Sequence, residues 1–185
     1  MRTPRIRTAA AADVPVIGQI VAEAYRRYIP RIGKQPPAPM LDDYHARVAE
    51  GVVWVIEDEF GIAGLIVLLP RSDHLLLDNI AVAPARQHSG LGRRLLAFAE
   101  AEALRRGYRE IRLYTHRTMT ENQRLYAAIA YEETGHSTEA GYERVFNAKA
   151  PCRLAAKASA SRVHNRPAAS EGAGLVAVER RERRG

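Results

Sequence analysis

The densest chemical signal in the 185-residue sequence lies between residues 75 and 96, LLLDNIAVAPARQHSGLGRRLL. An apolar run is followed there by a loop marked by Pro84, two glycines and the start of a helical pattern. The first backbone N–H groups of a helix have no intrahelical partner and sit at the positive end of its dipole. A glycine-lined loop leading into that end can therefore receive phosphate oxygens. A Cβ at Gly90 or Gly92 would hold such a ligand off the backbone. Taken alone, the two glycines serve equally well as a tight strand-to-helix turn. Farther along, Tyr126 follows Asn122 by four residues, which puts both on one helix face. A phenol with a pKa of about 10 keeps its proton at neutral pH and can donate it to a thiolate, although a helical tyrosine is more often a packing residue.

The spacing discriminates among phosphate loops. A P-loop needs a Lys after its second glycine, and a dinucleotide fingerprint needs a third small residue where Leu95 stands; the sequence has neither. Gln87-His88-Ser89-Gly90-Leu91-Gly92 instead resembles the Q/R-x-x-G-x-G/A pyrophosphate loop of acetyl-CoA-dependent acetyltransferases of the GNAT superfamily. Residues 120–131, TENQRLYAAIAY, resemble that superfamily's second hallmark, a helix carrying Asn and then Tyr one turn later, followed by a glycine-aromatic pair that opens the next strand. Here that pair is Ala130-Tyr131. The order and separation of the two motifs also match, and the resemblance runs from about Arg5 to Lys149.

The resemblance implies acetyl-CoA as acetyl donor, no metal, and an amine acceptor attacking directly in a ternary complex. Backbone groups of Ile80, Ala81 and Val82 would pair with the pantetheine arm and aim an N–H at the thioester oxygen, which is oxyanion stabilisation by a fixed dipole. Gln87, His88, Ser89, Gly90, Leu91, Gly92 and Arg93 would surround the pyrophosphate, with Arg93 either pairing with it or simply solvated. Asn122 would contact the cofactor arm and Tyr126 would act as general acid. Asp78 stands where some relatives carry a base. It is either that base or a structural hydrogen-bonding residue, and a water chain is the other route for the amine's proton. Leu76, where other relatives carry a glutamate, cannot serve. Two departures stand out: His88 replaces a small loop residue, and Ala130 replaces the glycine before the aromatic. His88 has no nearby ligand cluster to suggest a metal.

The elements that must position these residues read as β-α-α-β-β-β-α-β-α-β-β. A short strand at Arg5–Thr8 leads to a helix capped by Asp13, with Val16, Ile17, Ile20 and Val21 at helical spacing. The segment from Ile29 to Pro39 carries four prolines and reads as an irregular loop, and Met40 to Glu50 reads as a second helix. Strands two and three form a hairpin around Glu57–Gly61. In the fourth strand, Leu75–Val82, a period of two places Leu76, Asp78, Ile80 and Val82 on one face and Leu75, Leu77, Asn79 and Ala81 on the other. A third helix runs from Gly90 to Arg105-Arg106-Gly107, a fifth strand follows at Arg109–Tyr114, and Thr120 with Gln123 reads as a capping box for the fourth helix. Two last strands lie at Tyr131–His136 and Tyr142–Phe146. The fold class is α/β: the resemblance implies a mixed, twisted sheet of about seven strands with four helices, splayed between strands four and five.

The net charge of +7 suggests a nucleic-acid partner until it is divided along the chain. Residues 151–185 hold 8 Lys and Arg against 3 Asp and Glu, leaving 20 against 18 for the rest. Residues 1–149 are therefore expected to form the acetyltransferase domain, and residues 150–185 a basic, Ala/Arg-rich disordered tail. That tail lacks aromatic residues to stack on bases, so a nucleic-acid-binding or CoA-sensing module ranks last. Cys152, the only cysteine, excludes an intramolecular disulfide. Apolar stretches are too short for a membrane span, and a cytoplasmic protein is expected. A homodimer is compatible with the sequence. The acceptor wall is expected from Tyr25 to Tyr44 and from the Ser137–Tyr142 turn, with Tyr28, Arg31, Met40, Asp43 and Tyr44 suiting a small amine bearing a carboxylate, or a peptide end.

Overall fold

The computed structural model describes residues 3–33, 35–139 and 141–151. The stretch expected to be a disordered tail lies, from residue 152 on, outside the described residues. Seven strands form one sheet: β1 (Arg5–Thr8), β2 (Val53–Asp58), β3 (Gly61–Pro70), β4 (Leu75–Val82), β5 (Ile111–His116), β6 (Glu132–Glu139) and β7 (Tyr142–Lys149). Their order is β1-β2-β3-β4-β5-β7-β6, and only the β4–β5 pair is parallel. The helices are α1 (Val14–Tyr25), a single turn α2 (Ile29–Ile32), α3 (Tyr44–Ala49), α4 (Leu91–Arg105) and α5 (Thr120–Ala128). The expected mixed sheet is present, and so is its splay: β4 and β5 pair through Leu77 and Leu113 and no farther.

Each face of the sheet has its own core. Ile66, Leu68, Leu75, Leu95, Ile111 and Leu113 pack on the α4 side, and Ile17, Val21, Val53, Val55, Leu65 and Val67 on the α1 side. Each fully buried aliphatic side chain contributes about 1.5–3 kcal/mol, so these clusters dominate the stability that holds the site together.

The strict alternation expected along β4 does not hold. Val67 pairs with Asn79 but Leu68 pairs with Leu77, so Asp78 is an extra residue, a β-bulge. Leu75 and Leu77 before the bulge share the α4 side with Ile80 and Val82 after it. Leu76 and Ala81 lie on the α1 side, as does Asn79, which is bonded to Tyr25 of α1. A bulge is set by pairing with a strand elsewhere in the chain, so the β4 sequence alone carries no mark of it.

Several local expectations also change. Asp13 precedes α1, but its carboxylate accepts from the Ala10 N–H and the Arg7 guanidinium instead of capping the helix. Arg7 also binds Glu57, which ties β1, the α1 entrance and β2 together. The loop expected from Ile29 starts with the turn α2, and the second helix begins at Tyr44, after Asp43, whose carboxylate accepts from the N–H groups of His45 and Ala46. The capping box at Thr120 is not formed: Met119 is the N-cap, and the Gln123 amide donates to the carbonyls of His116 and Arg117.

Both long helices below the gap end in the same motif. At α4, Gly107 donates to Leu104 and Tyr108 to Ala103, with Gly107 at φ +79°. At α5, Ala130 donates to Ala127 and Tyr131 to Tyr126, with Ala130 at φ +64°. This Schellman geometry brings the residue after the left-handed position onto the last turn, and the rings of Tyr131 and Tyr126 lie 5.9 Å apart. An alanine in the left-handed region costs about 1–2 kcal/mol, whereas glycine gives back part of that gain as unfolded-state entropy. Ala130→Gly is therefore expected to raise the unfolding free energy by about 0.5–1 kcal/mol in urea denaturation. An unchanged or lower midpoint would contradict the strain assigned to Ala130.

Candidate active site

The gap between β4 and β5 organises the site. Ala83 donates to the Ala63 carbonyl of β3 at 2.9 Å. Because bonding alternates along an antiparallel ladder, the backbone groups of Ala81 turn to β3, and those of Ile80 and Val82 turn into the gap. The Val82 carbonyl accepts there from the Gln87 side chain at 3.1 Å. A short 3-10 turn at Pro84–Arg86 then leads to the loop, whose shape rests on two left-handed residues, His88 at φ +64° and Gly90 at φ +85°. Gly90 caps α4, and the Ser89 hydroxyl donates to the Arg86 carbonyl at 2.5 Å. A Cβ on Gly90 would meet nothing within 4 Å in the free protein, so glycine is required there first by its φ.

Two cavities open on the gap. The first is a groove on the loop side, with Ile80, Val82, Gln87, His88 and Gly92 in its wall and Arg27 and Arg86 at its edge. Of the other loop residues, Leu91 is buried in the core, Ser89 lines a separate surface hollow, and Arg93 is exposed. The second cavity, on the α1 side, is walled by Pro37, Asp78, Tyr114, His116, Tyr142 and Arg144 among others. Tyr25, Ile80, Asn122 and Tyr126 belong to both. Tyr126 is 5% exposed, and burial raises its pKa above the ordinary phenol value of 10.0, so it stays protonated at neutral pH. The Asp78 carboxylate accepts from the Tyr114 hydroxyl at 2.7 Å across the mouth of the splay, and Arg47 stands 3.9 Å from its other oxygen. Burial and then the Asp78 charge raise the Tyr114 pKa, which keeps that hydroxyl a donor.

The acceptor-side wall draws on the expected segments, Tyr25 to Tyr44 and the turn ending at Tyr142, but not on the side chains singled out in them. Tyr28 lines the loop-side groove, Arg31 pairs with Glu121 at 2.7 Å, Met40 packs into the α1-side core, Asp43 caps α3, and Tyr44 is buried. The proline-rich segment supplies Ile32, Pro37, Ala38 and Pro39 instead. A buried network holds it in place. Tyr25 donates to Asn79 Oδ1 at 2.7 Å, Asn79 Nδ2 donates to the Tyr44 hydroxyl at 2.8 Å, and Tyr44 donates to the Pro39 carbonyl at 3.0 Å. From the opposite side, Tyr142 donates to the Pro36 carbonyl at 2.7 Å. Asn79, His116 and Arg144 were not singled out by the sequence. A polar residue inside an apolar strand was the one available sign for Asn79.

A model of the acetyltransferase (GNAT) family matches residues 18–131. A protein of Xenopus tropicalis described as probable N-acetyltransferase 14 is 30% identical over 112 residues, which are 59% of this chain and 54% of that protein. The chain thus spans about half the length of that curated relative. The structure of yncA from Salmonella typhimurium, a putative acetyltransferase solved with acetyl-CoA, superposes with a TM-score of 0.63 at 20% identity, covering 82% of this chain and 96% of that one. PaiA N-acetyltransferase from Thermoplasma acidophilum, solved with coenzyme A, gives 0.65 at 16% identity over 78% and 98%. At these identities the likeness is one of fold.

The Asn79 network generates a prediction of its own. Asn79→Leu keeps the volume and leaves the buried Tyr25 hydroxyl without its acceptor and the Tyr44 hydroxyl without a donor. Each stranded polar group costs about 1–3 kcal/mol, so chemical denaturation is expected to show a loss of about 2–4 kcal/mol. A loss under about 0.5 kcal/mol would mean that the network does not hold the proline segment.

Proposed function

The chain belongs to the acetyltransferase (GNAT) family, and we propose that it transfers the acetyl group of acetyl-CoA to a primary amine of a small or amino-acid-like molecule. The observation that carries this reading is the junction of the two cavities at Tyr126, one side offering a strand edge and an anion-binding loop and the other a carboxylate. The residues fit the donor. Ile80 and Val82 turn backbone groups into the gap that β5 does not pair, the Val82 carbonyl being met by Gln87, and the amides of an extended arm can bond there as an added strand would. The helix α4 N-terminus beyond Gly90, with Arg27, Arg86 and His88 on the groove wall, suits phosphates. Acetyl-CoA would supply an acetyl group activated as a thioester.

Each residue then has a physical task. The gap-facing N–H of the β4 edge stabilises negative charge developing on the carbonyl oxygen. Asn122 holds the arm beside Tyr126. Tyr126, kept protonated by burial, gives its proton to the departing thiolate. Asp78, with one oxygen engaged by Tyr114, takes the proton released by the amine on the other. The nitrogen gains a bond to carbon, the carbon loses its bond to sulfur, and the two protons end on Asp78 and the sulfur.

Tyr126→Phe keeps the ring against Tyr131 and removes only the hydroxyl. Turnover is expected to fall by about 10²-fold or more, with acetyl-CoA affinity nearly unchanged by calorimetry. Near-normal turnover would remove Tyr126 from the chemistry. Since burial raises the Tyr126 pKa above 10.0, the wild-type kcat profile should show no Tyr126-dependent decline below pH 10. A falling limb near neutrality that disappears in Tyr126→Phe would contradict that protonation state.

A further inference from the structure

The cavity on the α1 side holds charges of opposite sign on a single tyrosine. Tyr114 donates its hydroxyl to Asp78 at 2.7 Å, and the Arg144 guanidinium lies over the Tyr114 ring, with Cζ 4.3 Å from the centroid. A carboxylate and a guanidinium are thus set one tyrosyl side chain apart on the same wall. Arg144 is directly opposite His116 in the β5–β7 ladder, and both line the cavity. His116 Nδ1 accepts the Thr118 backbone N–H at 3.2 Å, so the neutral ring carries its proton on Nε2 and is a donor there. Burial lowers the His116 pKa and keeps the ring neutral at pH 7. Arg144 donates one Nη1 hydrogen bond to Glu139 at 2.7 Å, and its remaining N–H groups have no hydrogen-bond partner among the described residues. Ile32, Pro37, Leu77 and Met119 give the wall an apolar stretch beside these polar groups.

On the premise of acetyl transfer, we propose that the acceptor is a short zwitterion, an amino acid whose carboxylate is bound by Arg144 with His116 beside it and whose amine is held at Asp78, facing Tyr126. A planar fork with unused donors matches a carboxylate in shape and charge. An acceptor without that carboxylate would leave the Arg144 donors unmatched in a partly desolvated pocket, which is the situation that makes a site discriminate strongly. The tyrosine between the two charges limits the span of the ligand and favours amine and carboxylate carried on a short skeleton. The apolar wall suits an uncharged side chain.

The test compares kcat/KM for the twenty common amino acids with that for their carboxamides, at saturating acetyl-CoA, in wild type, Arg144→Gln and Arg144→Lys. Wild type is expected to prefer its best amino acid over the matching carboxamide by about 10- to 100-fold. Arg144→Gln should erase that preference, Arg144→Lys should keep part of it, and neither should change acetyl-CoA affinity by calorimetry. Carboxamides used as well as acids, no amino acid turned over, or a preference that survives Arg144→Gln would each overturn the inference. A wild-type protein that fails to bind acetyl-CoA would instead overturn acetyl transfer itself, and the calorimetry distinguishes the two failures.

Discussion

A sheet that opens in its middle leaves backbone donors and acceptors facing a gap where a neighbouring strand would have satisfied them. β4 and β5 separate after the Leu77–Leu113 pair, and the bulge at Asp78 lies at that point. Bulges bend and twist a strand. This one also exchanges the faces of β4, which sends Ile80 and Val82 to the α4 side and leaves Asn79 to bind α1 and α3. The same residue places its carboxylate against Tyr114 across the opening. Edge, cavity and carboxylate therefore arise from one irregularity in one strand.

The surrounding structure keeps that irregularity rigid by unequal means. The Tyr25–Asn79–Tyr44–Pro39 chain, buried at Asn79 and Tyr44, holds the proline segment over the acceptor cavity, so each of its bonds matters. Tyr131 fixes Tyr126 through the turn at Ala130, although its own hydroxyl is buried without a hydrogen-bond partner among the described residues. The ring is what the position uses. By contrast, the Arg31–Glu121 ion pair between α2 and α5 is about half exposed on both sides, and solvent screening leaves pairs of that kind little weight in stability.

Legibility in the sequence followed the range of the interactions. The loop from Gln87 to Gly92 and the Asn122–Tyr126 face could be read because each is a local pattern of fixed spacing, and the hydrophobic period of α1 marked the face that enters the core. The pairing register could not be read. The Asp78 bulge depends on how β4 meets β3, and the roles of Asn79, His116 and Arg144 depend on elements far apart in the chain. Local rules also failed where a long-range partner competed: Asp13 turns to Arg7, and Gln123 turns back to the carbonyls of His116 and Arg117. Ala130 looked like a loss of the motif, yet it adopts the left-handed geometry that a glycine would have supplied.

The central claim is that the β4 edge in the gap is where the donor binds, and residue-resolved amide hydrogen exchange with and without acetyl-CoA tests it directly. The Ile80 and Val82 amides, which face the gap, are predicted to gain strong protection when acetyl-CoA is added, while Ala81, already turned to β3, changes little. Unchanged exchange at Ile80 and Val82 in a sample shown by calorimetry to have bound acetyl-CoA would place the ligand elsewhere and contradict the account.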